Sequence, residues 1–170
     1  MVLECEGEPA GEPDRLLSTT VAANVLRGFD AQISGGLKFG PGKKSDAWIT
    51  NWTSAKAGVV WPVRLLEAAT FEVTLVYDAD KGAAKPKVVA GDAGAERTAA
   101  HGGAGGTFEV KIGGQTLPGA VKNGREVKAA LGRVTLSPGR FDIRVKAVKI
   151  DGEELLRLRS IILTPVRASP

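Results

Sequence analysis

Reactive and ligating side chains are scarce in this 170-residue chain, and their spacing limits the chemistry open to it. His101 and Cys5 are the single histidine and cysteine. An intramolecular disulfide, a cysteine-rich metal site and a multi-histidine zinc or non-haem iron centre are therefore excluded. His101 is the one candidate base for Ser-His-Asp or Cys-His chemistry. Its Ala/Gly surroundings hold no carboxylate close in sequence to orient an imidazole, so an exposed loop histidine is the simpler reading. Gly102 to Gly106 has the composition of a phosphate-cradling loop, but such loops need a following helix whose N-terminus faces the phosphate. Thr107 to Ile112 reads as a strand, and no Gly-Lys-Ser/Thr is present. Asp78 and Asp80, with Asp30 or Asp46, could supply oxygen ligands to a structural calcium, without the dense acidic loop of an EF-hand. Solvated strand-end carboxylates are the simpler reading, and no other cofactor is implied.

The informative stretch is Trp48, Asn51, Trp52, Thr53 and Ser54, followed by Val59, Val60, Trp61, Pro62 and Val63. Trp61 alternates with Val59 and Val63, which predicts a core ring. Trp48 and Trp52 stand four apart among polar residues. A flat indole beside an amide and hydroxyls suits a pyranose, whose C–H face stacks while its hydroxyls take hydrogen bonds. The competing reading is that one or both rings plug the end of a sandwich. Two basic groups remain: Arg144, Lys146 and Lys149 in a strand, and Lys122, Arg125 and Lys128 in an expected loop. Neither carries the aromatics that nucleic-acid readers interleave with their cations, so no nucleic-acid partner is expected.

The elements that must position these residues are strands. At 43% apolar and 25% charged the composition is that of a globular domain. No apolar run approaches the roughly 20 residues of a membrane helix, so no membrane partner is expected. Charge is uneven: residues 1–30 hold six acids and two bases, and the remainder 13 acids and 21 bases. A basic body favours anionic partners. Phe71, Val73, Leu75 and Tyr77 alternate with Glu72 and Thr74; Phe108, Val110 and Ile112 with Glu109 and Lys111; Phe141, Ile143 and Val145 with Asp142 and Arg144. This period of two, with turn signals such as Gly35-Gly36, Gly113-Gly114 and Pro138-Gly139, predicts an all-β antiparallel sandwich of about seven strands. Residues 29–167 form that domain. Residues 1–28 read as an acidic linker or tail, with a short amphipathic helix or an extended segment over Arg15 to Arg27. Residues 81–106, rich in Ala and Gly, read as a long flexible insertion, with Val88-Val89 as a weak edge pairing. Met1 to Asp14 has neither the basic segment nor the apolar core of a signal peptide.

The runs Ile49 to Ser54, Val60 to Val63, Thr70 to Tyr77, Gly106 to Val110, Leu131 to Leu136, Pro138-Gly139 and Leu158 to Pro165 together resemble a known family. They are similar to the galactose-binding-like jelly-roll modules appended to bacterial sulfatases and α-L-fucosidases, related in architecture to carbohydrate-binding modules. The resemblance covers roughly residues 30–166. It implies a non-catalytic accessory domain that holds a polysaccharide, exported as part of a longer chain. It also implies that Trp61 is a core aromatic and that Trp52 precedes the strand bearing it. Where related modules place a stacking aromatic, this chain has Asn123, Gly124, Arg125 and Lys128. That departure implies either an anionic (sulfated) glycan held by charge-assisted bonds or a purely structural module. Trp48, Asn51, Trp52, Arg125 and Lys128 are accordingly the expected glycan site. The alternatives are a structural or protein-interaction domain of a larger hydrolase, and a small hydrolase using a carboxylate pair or His101.

Overall fold

A computed structural model describes residues 14–40, 47–80 and 103–166. Its strands are β1 (Arg15–Leu17), β2 (Asn24–Arg27), β3 (Gln32–Ser34), β4 (Lys38–Gly40), β5 (Trp48–Thr50), β6 (Gly58–Leu65), β7 (Ala69–Ala79), β8 (Gly106–Ile112), β9 (Gln115–Ala120), β10 (Gly124–Leu136), β11 (Gly139–Ile150) and β12 (Arg157–Pro165). A single 3-10 turn, Gly28–Asp30, is the one helical element among the described residues. Sheet I runs β1-β6-β11-β8-β9, with β3 also on β6; sheet II runs β10-β7-β12-β5-β4, with β2 also on β12. Every pairing is antiparallel except β1 with β6. This is the antiparallel β-sandwich expected from the period-two patterns.

The alternation decides what the sandwich buries. Phe71, Val73, Leu75 and Tyr77 of β7 face Phe108, Val110 and Ile112 of β8 and Ile143 and Val145 of β11, all in one core. Tyr77 and Phe108 meet edge to face across the two sheets, ring centroids 6.2 Å apart. The Tyr77 hydroxyl reaches past the core and accepts the Lys122 backbone N–H at 2.9 Å. Trp61 is buried as expected, and its indole N–H donates to the Arg27 carbonyl at 2.9 Å.

Three expectations are corrected. Arg15 to Arg27 is not a helix: it forms β1 on sheet I and β2 on sheet II, so residues before 29 already belong to the sandwich. Strand pairing buries Leu17 and Leu26 and leaves Leu16, Val21 and Val25 outside, an arrangement no single helical stripe would produce. Arg125 and Lys128 do not sit in a loop; both lie on the 13-residue β10, which pairs along β7. The described residues hold more strands than expected because short strands of three or four residues carry almost no periodic signal. Most of the insertion, with Val88-Val89 and His101, lies outside the described residues, as does Asp46. Its last residues belong to the fold: Ala104 bridges Glu154, and Gly106 opens β8.

Gly106 has φ of +137°, and a Cβ there would collide with the Lys149 carbonyl on β11. Gly106→Ala is expected to cost about 2–3 kcal/mol, read as a lower urea midpoint, because backbone, not a flexible side chain, blocks the added carbon.

Candidate functional site

The polar groups converge on the outer face of sheet II, at the end where β4, β5 and β12 meet the loop preceding β12. Lys38, Thr50, Asn51, Thr53, Glu153, Glu154 and Arg157 line a cleft of about 400 Å³ there. Glu154 is its fixed point. Its Oε2 accepts from the Thr50 hydroxyl at 3.1 Å and the Asn51 backbone N–H at 3.3 Å, and its Oε1 accepts from Arg157 Nε at 2.7 Å. Arg157 Nη1 continues to Asp80 at 2.8 Å. Asn51 holds a left-handed backbone, φ 65°, which non-glycine residues seldom adopt. Its side-chain amide donates to the Gly36 carbonyl at 2.7 Å and locks that conformation. Lys38 and Glu153 are exposed and form no ion pair with a described residue, so one cation and one carboxylate of the cleft stay available to a ligand.

A second polar row crosses the same face. Trp48 on β5 lies half-buried, and the Arg159 guanidinium of β12 sits over its ring, 5.5 Å from the centroid. Arg159 is held by Asp78 of β7, whose Oδ2 receives Nε at 2.9 Å and Nη2 at 2.7 Å. The other oxygen of Asp78 accepts the Glu126 backbone N–H at 2.7 Å. Burial pushes the Asp78 pKa up, but the hydrogen bonds from Arg159 and Glu126 and the charges of Arg159 and Arg125 outweigh it and hold the carboxyl below 3.8. Glu126, like Asn51, is a non-glycine residue at positive φ, 48°. Both strained residues thus flank this one face, and each donates its backbone N–H to a carboxylate that an arginine also grips. Gly40 on β4 leaves room for the indole: a Cβ there would lie 3.2 Å from Trp48 Nε1. Gly40→Val is expected to displace the ring, seen as a shifted indole emission maximum with little change in overall stability.

Among the expected site residues, Trp48 and Asn51 are brought together at the cleft end. Arg125 and Lys128 share the outer face but lie on β10, three strand spacings from Trp48, or about 14 Å. Trp52 is the correction. It is 0% exposed, packed in the core where the β5–β6 connection closes the sandwich, and it offers no face to a sugar. The plug reading of the motif is the right one for this ring. The aspartates considered as calcium ligands are engaged by arginines. Asp78 and Asp80 are each neutralised by an arginine, Asp30 pairs with Arg15 instead, and no three His, Cys, Asp or Glu side chains converge among the described residues. Sequence reading missed Lys38, Thr50, Glu153, Glu154, Arg157 and Arg159. A signal existed for the two arginines: they alternate with Leu158 in a strand that is otherwise nearly all apolar.

No protein-family model and no curated protein matches the sequence. The solved structures similar to this chain share its fold at low identity. The Podospora anserina GH26-CBM35 β-(1,4)-mannanase superposes with a TM-score of 0.61 at 14% identity over 88% of this chain. This chain spans only 29% of that enzyme's length. The family 35 carbohydrate-binding module from Clostridium thermocellum matches at TM-score 0.55 and 12% identity, covering 84% of this chain and 98% of its own. The CBM35 of Cellvibrio japonicus Abf62 matches at TM-score 0.55 and 16% identity, covering 86% and 94%. The chain is therefore a β-sandwich with the fold of the family 35 carbohydrate-binding modules.

Proposed function

We propose that this chain is a non-catalytic carbohydrate-binding module whose ligand enters the cleft beside Trp48. The observation that carries the reading is the cleft itself: hydroxyl, amide, carboxylate and ammonium groups gathered on a rigid sheet edge, with an indole alongside. Sugar hydroxyls both donate and accept, and this wall supplies both kinds of partner. Thr50 and Asn51 are pre-set by their bonds to Glu154 and Gly36, so little side-chain entropy is lost on binding. The fold shared with the family 35 modules supports the same reading. Preference for an anionic, sulfated glycan is part of this proposal. It rests on Lys38 in the cleft and on Arg125 and Lys128 across the face, all exposed. Association with a sulfatase or α-L-fucosidase catalytic domain rests on the sequence motifs.

Affinity electrophoresis in gels containing neutral or sulfated polysaccharide tests the proposal. Retardation by at least one polysaccharide is expected, and Lys38→Ala with Glu153→Ala should weaken it about tenfold by removing charged hydrogen-bond partners. Neither side chain forms a hydrogen bond or ion pair with a described residue, so the urea midpoint should not move. No retardation by any polysaccharide would refute the reading. It would favour a protein-interaction domain, for which Leu16 and Leu66, 45% and 68% exposed beside one concavity, supply an apolar contact surface.

A further inference from the structure

β12 is a central strand of sheet II, with β7 on one side and β2 and β5 on the other, yet its ladder to β7 is interrupted. Leu158 pairs with Tyr77 and Ser160 with Val76, so Arg159 is the extra residue of a β-bulge. β10 breaks its register at the same level: Gly124 pairs with Ala79 and Val127 with Tyr77, which leaves Arg125 and Glu126 opposite Asp78 alone. A bulge on an edge strand such as β10 deters pairing with other chains. One inside the sheet has no such use, and its effect is to re-aim a side chain. Asp78 joins the two bulges, with Oδ2 on Arg159 and Oδ1 on the backbone N–H of Glu126, whose φ is positive.

The register also links this region to the cleft. Leu158 pairs with Ile49, which sets Thr50 of the cleft beside Arg157, and Arg157 pairs with Asp78. Thr50, Arg157, Asp78 and Arg125 therefore form one row across four strands. Beside it run Trp48, Arg159, Val76 and Lys128, with Lys128 directly opposite Val76. Arg125 and Lys128 are exposed, and neither forms an ion pair with a described residue. The acids near them are engaged elsewhere: both Asp78 oxygens are bonded as above, and the Glu126 carboxylate lies 4.0 Å from Arg159. In the cleft, by contrast, Lys38 shares the wall with Glu153 and Glu154, and Arg157 is bonded to Glu154 and Asp80. The two cations with unused donors thus stand at the far end of the row.

We infer that a glycan seated in the cleft runs on across sheet II, and that Arg125 and Lys128 form a second subsite for an anionic group on it. That the ligand is a glycan anchored in the cleft rests on the functional reading above. The subsite lies three strand spacings from β5, about 14 Å, so it engages a sugar beyond the one in the cleft. A guanidinium and an ammonium there bind sulfate or carboxylate oxygens through charge-assisted bonds. The Asp78 clamp fixes the bulge that carries Arg125, so the backbone beneath this subsite is set before the ligand arrives.

Calorimetric titration with heparin-derived oligosaccharides of two lengths tests this, since a hexasaccharide can reach β10 from the cleft and a disaccharide cannot. The parent chain should bind the hexasaccharide about tenfold tighter than the disaccharide, as charged hydrogen bonds of ordinary strength provide. That gain should shrink as salt rises. Arg125→Gln with Lys128→Gln should erase the gain and leave the disaccharide affinity and the urea midpoint unchanged. Lys128→Gln alone, which keeps every charge beside Asp78, should erase part of it. A heparosan hexasaccharide, with carboxylates and no sulfate, separates the two anions: a retained gain assigns the subsite to carboxylate, a lost one to sulfate. A hexasaccharide bound no tighter than the disaccharide, or a gain kept by the double variant, would overturn the inference. Lys38→Ala with Glu153→Ala should weaken both lengths alike. Indifference of both lengths to that variant refutes the cleft reading, a result distinct from either that refutes the subsite.

Discussion

Trp52→Ala is expected to destabilise the domain by about 3–5 kcal/mol, the usual cost of deleting a large aromatic from a packed core. The side chain is fully enclosed, and the Trp52 carbonyl accepts the Leu155 N–H at 2.9 Å, tying the loop before β12 to the end of the sandwich. Against a total of about 5–15 kcal/mol for a domain, that loss is large enough to populate unfolded chains at ambient temperature. A urea titration measures it. Trp52→Phe should cost much less, because the indole N–H it removes is buried without a hydrogen-bond partner. A Trp52→Ala chain with the parent's midpoint would show that this indole is not part of the core. Lost glycan retention in that variant would therefore report unfolding, and Trp48 with the cleft residues is the informative set to test.

Asp78→Asn should lower stability at neutral pH by about 1–3 kcal/mol, with Arg159 left partly buried beside an uncharged partner. Its pH dependence identifies the cause. The carboxyl titrates below 3.8 in the fold, whereas in the unfolded chain it titrates at about 3.9. The ionised carboxylate thus stabilises the fold fully above the unfolded value, and that contribution fades as pH falls through the folded value. Urea midpoints of the parent and of Asp78→Asn should differ at pH 7 and converge as pH falls through the lowered folded value. Parallel curves across that range would mean the Arg159 pair adds nothing. Because Arg159 caps Trp48, the same substitution should also change the indole emission at pH 7, which a purely global destabilisation would not do below the unfolding transition.

The long strands were legible because alternation in a half-buried strand is local. Phe71 to Tyr77, Phe108 to Ile112 and Phe141 to Val145 each declare their inner face within seven residues. Trp61 declared itself the same way. Residues 15–17 and 24–27 were not legible, since three or four residues hold too few alternations to separate strand from helix, and their partners lie far along the chain. Trp48 and Trp52 show the same limit at the site. Four apart and in equally polar surroundings, one lies on an outer face and the other inside, because β5 ends between them and Asn51 reverses the backbone.

From residue types and their order alone followed a two-sheet, all-β architecture, the want of a histidine or cysteine metal centre, and a region around Trp48 and Asn51 worth attention. Folding decided which indole stays near water, that Glu154 of one loop would anchor Thr50 and Asn51 of another, and that Arg157 and Arg159 would clamp Asp80 and Asp78. The physical reason is range. Burial periodicity is a property of neighbours in the chain, whereas a cleft or a charged face is made by strands that neighbour only across the sheet, in a register the whole core sets.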